Sequence, residues 1–78
     1  MSDMRYALIP AYNPDDKLIE ITYKLVKYGF NIIVVDDGSD ETCNGVFSEI
    51  IACADVLHHR TNRGKGAALR TGLDYIAQ

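Results

Sequence analysis

Two aspartates and a glycine-lysine-glycine segment are the residues of this 78-residue chain whose types point most directly to chemistry. Asp36 and Asp37 follow an apolar run, and an ionised carboxylate only accepts hydrogen bonds, so either residue suits a ligand with N–H or hydroxyl donors. Gly64-Lys65-Gly66 opens a helical pattern, where backbone N–H groups, the helix dipole and the lysine favour an anion. These residue types predict a site for a ligand that carries both hydrogen-bond donors and negative charge.

A third segment, Pro10-Ala11-Tyr12-Asn13, follows the first apolar run, and Tyr12 offers an aromatic ring and a hydroxyl. Taken singly, each segment has an ordinary explanation as a capped turn, an Asp-Gly-Ser turn or a solvated lysine at a helix start. The aspartate pair also suits a metal site or an acid–base pair, but no third ligand is evident. Two known phosphate loops do not match, because no Walker A pattern occurs and Leu69 replaces the third glycine of the dinucleotide fingerprint.

The elements that carry these segments read as an α/β protein. Strands are predicted over residues 6–9, 30–35 and 55–59, with Asp36 and Asp37 in the loop that follows the second strand. Helical patterns follow each strand, so the order is β-α-β-α-β-α with right-handed crossovers and a parallel sheet. We expect a three-layer, Rossmann-like nucleotide-binding unit with strand order 3-2-1. All three segments then lie at the carboxyl edge of the sheet, where a nucleotide sugar would find acceptors and a positive region.

The helix boundaries follow from capping residues. Asn13 is predicted to cap the first helix with Pro14 at its first position, and Ser39 or Asp40 to cap the second. The third helix is predicted to open near Gly64, and Gly72 to let it lie close on the sheet. The predicted apolar faces are Leu18, Ile21, Leu25 and Tyr28, then Val46, Phe47, Ile50 and Ile51, and finally Ala68, Leu69, Leu73 and Ile76.

Charge and cysteine content narrow the function classes. The net charge of −3 argues against a nucleic-acid binder, and the local basic cluster of Arg60, Arg63, Lys65 and Arg70 suits a small anion better than a duplex. The two cysteines lack metal-binding spacing and read as free thiols, so we expect a cytoplasmic protein. No apolar run approaches the roughly 20 residues of a membrane span.

The end of the chain falls within a helical pattern that carries no stop signal. Residues 74–78 contain no glycine, proline or cap, so we expect residues 1–78 to form a domain that is incomplete at its C-terminus. A fourth strand would then pair with the first strand, whose free edge predicts self-association.

Together, residues 6–76 resemble the amino-terminal half of a family 2 glycosyltransferase with the GT-A fold. The segment Asn62-Arg63-Gly64-Lys65-Gly66-Ala67-Ala68-Leu69-Arg70-Thr71-Gly72 is most similar to the branch of polyprenyl-phosphate sugar synthases. The resemblance implies that Asp37 accepts a hydrogen bond from the base, that Asp36 supports the loop or approaches the ribose, and that Lys65 lies beside the base or diphosphate. The residues assigned to nucleotide binding are Pro10, Ala11, Tyr12, Asn13, Asp36, Asp37, Gly38, Ser39, Gly64, Lys65 and Gly66, with no catalytic residue and no metal ligand.

The resemblance also implies a sugar donor, an acceptor and a metal-binding motif that lies outside this sequence. The donor would be a UDP- or GDP-linked sugar, and the acceptor is left open between a polyprenyl phosphate and a polysaccharide. Magnesium or manganese is expected only in the full-length enzyme, because the family's Asp-x-Asp motif lies on a later strand, and so the fragment is expected to be inactive alone. Whether the full-length protein associates with a membrane is left open. The alternatives are a ligand-free α/β fragment and a receiver-like phosphoacceptor domain.

Two departures from the family pattern fall in the predicted loops. Many members carry an acidic residue where this chain has Pro14, and a threonine between the serine and the next aspartate where Asp40 follows Ser39 directly. Either change would shift a loop without abolishing the pocket.

Overall fold

A computed structural model describes residues 4–78 as one parallel sheet covered by helices. The strands are β1 (Tyr6–Ala11), β2 (Asn31–Asp37) and β3 (Asp55–His59), in the spatial order β1-β2-β3. The helices are α1 (Lys17–Lys27), α2 (Asn44–Ile50) and α3 (Lys65–Ala77), and a 3₁₀ turn at Glu41–Cys43 precedes α2. The predicted α/β class, the β-α-β-α-β-α order and the parallel sheet are confirmed.

The core lies on both faces of β2. Ile32 and Val34 belong to a buried cluster with Leu18 of α1 and Phe47 of α2, whereas the alternate residues of β2 face α3. Because both faces are covered, every residue of β2 after Asn31 is buried. This explains why the strand reads as an unbroken apolar run rather than as an alternating one.

The first two strands run further than the sequence predicts. β1 ends at Ala11 rather than at residue 9, and β2 ends at Asp37 rather than at residue 35. The prediction that Asp36 and Asp37 are loop residues is therefore wrong. Their backbones continue the parallel ladder, in which Asp36 is the partner of His58 and Asp37 of His59.

The predicted cap of α1 is also wrong. Asn13 adopts a left-handed conformation with φ of 48°, and its side-chain oxygen accepts a hydrogen bond from the backbone N–H of Asp40, 2.8 Å away. Asp15 supplies the hydrogen bond at the helix start instead, since its Oδ1 accepts from the N–H of Lys17 at 2.9 Å. Asp40, one of the two residues predicted to cap the second helix, caps the 3₁₀ turn before it, since its Oδ1 accepts from the N–H of Thr42. The helix α2 itself begins without a side-chain cap.

Helix packing agrees with the predicted faces only in part. In α1, Thr22 is fully buried and its hydroxyl donates to the carbonyl of Leu18, while Ile21 and Tyr28 are exposed. In α3, Gly72 is buried where a Cβ would collide with the side chain of Leu8, which confirms the predicted close contact with the sheet. The predicted faces of α2 and α3 are confirmed in part. Phe47, Ile50 and Ala68 are buried and Val46, Leu69 and Ile76 are half-buried, but Ile51 and Leu73 are exposed.

Candidate functional site: a cleft at the carboxyl edge of the sheet

The three chemistry-bearing segments meet at one cleft of about 520 Å³. A cleft of this size lies within the range of roughly 300–1,000 Å³ that holds small-molecule ligands. The residues that line it are Pro10, Ala11, Tyr12, Asp37, Asn62, Gly64 and Lys65. Six of these seven are among the residues that the sequence assigns to nucleotide binding, and Asn62 joins them from the loop after β3.

Gly38 does not line the cleft but lets two of its loops touch. Its φ is 74°, and a Cβ at this position would overlap the backbone of Thr61 and Asn62. The loop after β2 therefore lies directly against the loop after β3, at a separation that only glycine allows. The close contact brings Asn62 to the cleft.

Asn13 and Ser39 join the loop after β1 to the loop after β2. The N–H of Asn13 donates to Ser39 Oγ at 2.9 Å, and Asn13 Oδ1 accepts from the N–H of Asp40. Neither side chain lines the cleft, although the sequence assigns both to ligand binding. In this structure they hold two loops in a fixed relation. Tyr12, the residue before Asn13, is 57% exposed and lines the cleft.

Asp37 is the buried centre of the site. Its Oδ1 accepts from the backbone N–H of Arg63 at 2.8 Å and lies 2.7 Å from His59 Nδ1, while Oδ2 accepts from the N–H of Gly64 at 2.9 Å. The hydrogen bond from His59, followed by the one from Arg63, lowers the pKa of Asp37 below its usual value, so this carboxylate is ionised near neutral pH. Asp37 thereby holds the last two residues of the loop after β3 against the end of β2.

Asp36 makes a second, more exposed pair on the other face of the sheet. Its Oδ2 lies 2.7 Å from His58 Nδ1, and its Oδ1 accepts from the N–H of Ser39. The His58 side chain is 56% exposed and packs edge-on against Phe47 of α2. Asp36 does not line the cleft, and its side chain instead binds the backbone of the loop after β2.

The two histidine partners, His58 and His59, are not among the residues that the sequence assigns to the site. The signal that would have found them is a pair of adjacent histidines at the end of one strand beside a pair of adjacent aspartates at the end of its neighbour. In a parallel ladder such pairs align one to one, because successive side chains alternate between the two faces.

The positively charged end of the cleft lies at the start of α3. Gly64 has φ of 96° and no side chain to cap the helix, so the first N–H groups of α3 have no side-chain acceptor. Lys65 is exposed and lines the cleft. Gly66 is exposed and has open space where a Cβ would stand, so it makes no close contact within the protein.

The described residues do not fit a divalent-metal site. Within residues 4–78, no group of three or more histidine, cysteine, aspartate or glutamate residues is close enough to hold an ion. The carboxylates of Asp36 and Asp37 are already bound to histidines and backbone N–H groups. The same part of the chain also contains no helix that is long and apolar enough to cross a membrane.

A parallel α/β sheet with a cleft at its carboxyl edge defines a class of ligand-binding domain, and comparison with known proteins gives the family. This chain belongs to glycosyl transferase family 2, since the model of that family matches residues 6–77. The match confirms the family that the sequence resembles.

Two curated relatives come from Methanocaldococcus jannaschii. The chain is 40% identical over 74 residues to the uncharacterized protein MJ1222, in an alignment that covers 91% of this chain and 29% of that protein. It is 27% identical over 73 residues to the uncharacterized protein MJ0544, covering 88% of this chain and 32% of that protein. The chain thus spans about a third of the length of the curated relatives it matches. No solved structure matches the chain significantly.

Proposed function

We propose that this chain binds the nucleotide diphosphate part of a nucleotide sugar in the cleft, and that it is the donor-binding part of a glycosyltransferase. The observation that carries the proposal is that the carboxyl ends of β1 and β2, the loops after β1 and β3, and the start of α3 converge on one cleft of about 520 Å³. Membership of glycosyl transferase family 2 supports it independently, because the family acts on sugar donors.

The two ends of the cleft suit the two ends of such a ligand. Lys65 and the uncapped start of α3 supply positive charge and free N–H groups for a diphosphate. Pro10, Ala11 and the exposed ring of Tyr12 form an apolar wall against which a base or ribose can pack.

The hydrogen bonds inside the protein limit what Asp37 can offer a ligand. A carboxylate has about four acceptor positions, and three are used by His59, Arg63 and Gly64. Asp37 lines the cleft, so we propose that its remaining position accepts one N–H from the base. Its larger contribution is to hold the loop that carries Lys65.

The finer assignments are proposals that rest on the sequence resemblance. The donor is a UDP- or GDP-linked sugar, and the acceptor is a polyprenyl phosphate or a polysaccharide. The polyprenyl-phosphate branch is proposed from residues 62–72 alone. Magnesium or manganese would belong to the longer enzyme, and no step is assigned to an ion here because residues 4–78 do not fit one. A cytoplasmic location also remains a proposal.

A thermal-shift titration with UDP and GDP tests the proposal. At a ligand concentration of about 100 times Kd, binding adds about 2.7 kcal/mol of stability, which raises Tm by about 10 °C or more in a domain of this size. Replacing Lys65 with alanine is expected to weaken the Kd about tenfold, the value of one hydrogen bond to a charged group.

The matched control is Lys24→Ala, which removes the same charge from the last turn of α1, at the amino end of the sheet. This variant is expected to bind as the parent chain does. If neither nucleotide raises Tm, the ligand-free interpretation is favoured. If both lysine variants weaken binding equally, the interaction is a general charge effect and the cleft is not the site.

A further inference from the structure

His59, the last residue of β3, lies at the centre of a buried network behind the cleft. Its side chain is only 5% exposed. Nδ1 lies 2.7 Å from Asp37 Oδ1 on β2, and Nε2 lies 2.8 Å from Thr71 Oγ1 on α3. The ring therefore connects the central strand to the helix that follows the loop of the cleft.

The chemistry of the partners determines the direction of the first hydrogen bond. The carboxylate of Asp37 is ionised and can only accept, so Nδ1 of His59 must carry the proton that is shared with it. The hydroxyl of Thr71 can then donate to an unprotonated Nε2, which keeps the ring in a single orientation.

The orientation of the Asp37 carboxylate determines whether it can bind the backbone beside the cleft. The terminal torsion of an aspartate has a broad range, so a carboxylate without a side-chain partner can turn. The hydrogen bond from His59 holds the carboxylate plane of Asp37 so that Oδ1 accepts from the N–H of Arg63 and Oδ2 accepts from the N–H of Gly64. These are the two residues directly before Lys65.

We propose that His59 is a positioning residue for nucleotide binding: its Nδ1–H holds Asp37 in the plane that fixes the Arg63–Gly64 backbone and, with it, the positively charged end of the cleft. The expected effect on nucleotide affinity rests on the proposed function. The expected effect on the loop does not, because it can be measured without any ligand.

Two polar substitutions separate positioning from simple space-filling. The amide nitrogen of asparagine is as many bonds from Cα as Nδ1, so His59→Asn keeps the donor for Asp37 and loses the contact with Thr71. The amide nitrogen of glutamine matches Nε2 in the same way, so His59→Gln keeps the contact with Thr71 and loses the donor. Asparagine is the smaller side chain, so a purely structural role predicts that it is the more damaging change.

Amide hydrogen exchange measured by NMR gives the ligand-free readout. The protection of the Arg63 and Gly64 amides is compared with that of Val34 and Val35, which are fully buried in β2 and report global stability. In His59→Gln this relative protection is expected to fall about tenfold, and in His59→Asn to stay within about threefold. Equal losses in both variants, or a larger loss in the asparagine variant, would overturn the inference.

The unsubstituted chain provides a second test that needs no variant to fold. Imidazole ¹⁵N chemical shifts are expected to show a protonated Nδ1 on His59 at neutral pH. An unprotonated Nδ1 would contradict the proposed donor directly.

Nucleotide binding then connects the inference to function. The Kd for the nucleotide that stabilises the parent chain is expected to rise about tenfold in His59→Gln and less than about threefold in His59→Asn. If the parent chain binds neither UDP nor GDP while the exchange results hold, the proposed function fails and the positioning of the loop stands. If nucleotide binds and both variants behave alike, the positioning inference fails and the proposed function stands.

Discussion

Replacing Gly38 with alanine changes two features of the loop after β2 at once. The residue has φ of 74°, a left-handed conformation that costs a residue with a Cβ about 1 kcal/mol. The new Cβ would also overlap backbone atoms of Thr61 and Asn62, which cannot move aside as a flexible side chain can. Overpacking of this kind costs about 1–3 kcal/mol, so we expect a total loss of about 3 kcal/mol.

A loss of this size is large for a small domain. Proteins have about 0.05–0.15 kcal/mol of stability per residue, so a chain of this length has about 4–12 kcal/mol in total. At about 4–8 °C per kcal/mol, Gly38→Ala is expected to lower Tm by about 12–24 °C. Calorimetry, together with urea unfolding, measures the change.

Two other glycines separate strain from overlap. Gly64 has φ of 96° and ψ of 158°, a region that is essentially restricted to glycine, but it has open space around it, so Gly64→Ala is expected to cost about 1–3 kcal/mol from backbone strain alone. Gly45 lies within α2 with open space around it, so Gly45→Ala is expected to stabilise by up to about 1 kcal/mol. If Gly38→Ala costs no more than about 1 kcal/mol, which is the cost of the left-handed conformation alone, then the loops after β2 and β3 are not in close contact at Gly38.

Three further expectations concern packing, charge and the sheet edge. Gly72→Ala places a Cβ against the side chain of Leu8 and is expected to cost about 1–3 kcal/mol of stability. In a double-mutant cycle, Leu8→Ala is expected to relieve part of that cost, which gives a favourable coupling energy. Costs that simply add would contradict the contact. Asp37→Asn replaces the acceptor of the Gly64 N–H by a second donor, so this variant should be less stable than the parent chain at pH 6. Because the pKa of Asp37 is lowered in the folded state, the stability that its carboxylate contributes is fully present above the unfolded carboxyl pKa of about 3.9. That stability is lost as pH falls through the lower folded pKa. A Tm difference between Asp37→Asn and the parent chain that does not narrow below about pH 4 would contradict this. β1 has a neighbour on one side only among residues 4–78, so we propose that the chain self-associates through this edge, and a monodisperse monomer at high concentration in sedimentation experiments would count against it.

The class of fold was predictable because it depends on local patterns. The apolar run before Asp36 is continuous, as is typical of a strand covered on both faces, and the structure buries it completely. Strand–helix–strand units of this length have one favoured handedness, so the parallel order followed from the order of the elements. Asp40 could be identified as a cap because capping is a contact between residues two apart.

Much of the cleft was predictable for the same reason. The carboxyl ends of parallel strands meet at one edge of the sheet, so the three segments had to come together once the strands were recognised. The chemistry predicted for Lys65 at a helix start and for Tyr12 after the first strand depended only on residue type and position. These residues do line the cleft.

Tertiary contacts decided which side chains face the cleft and which bind one another. Asn13 was predicted as a helix cap, but its side chain binds the loop after β2, whose distance from it depends on the pairing of β1 with β2. Asp36 and Asp37 have similar sequence surroundings, yet one meets His58 on one face and the other meets His59 on the opposite face. Strand register and the alternation of side chains across a sheet determine those partners, and register depends on both strands, whose paired residues are 22 positions apart in the sequence.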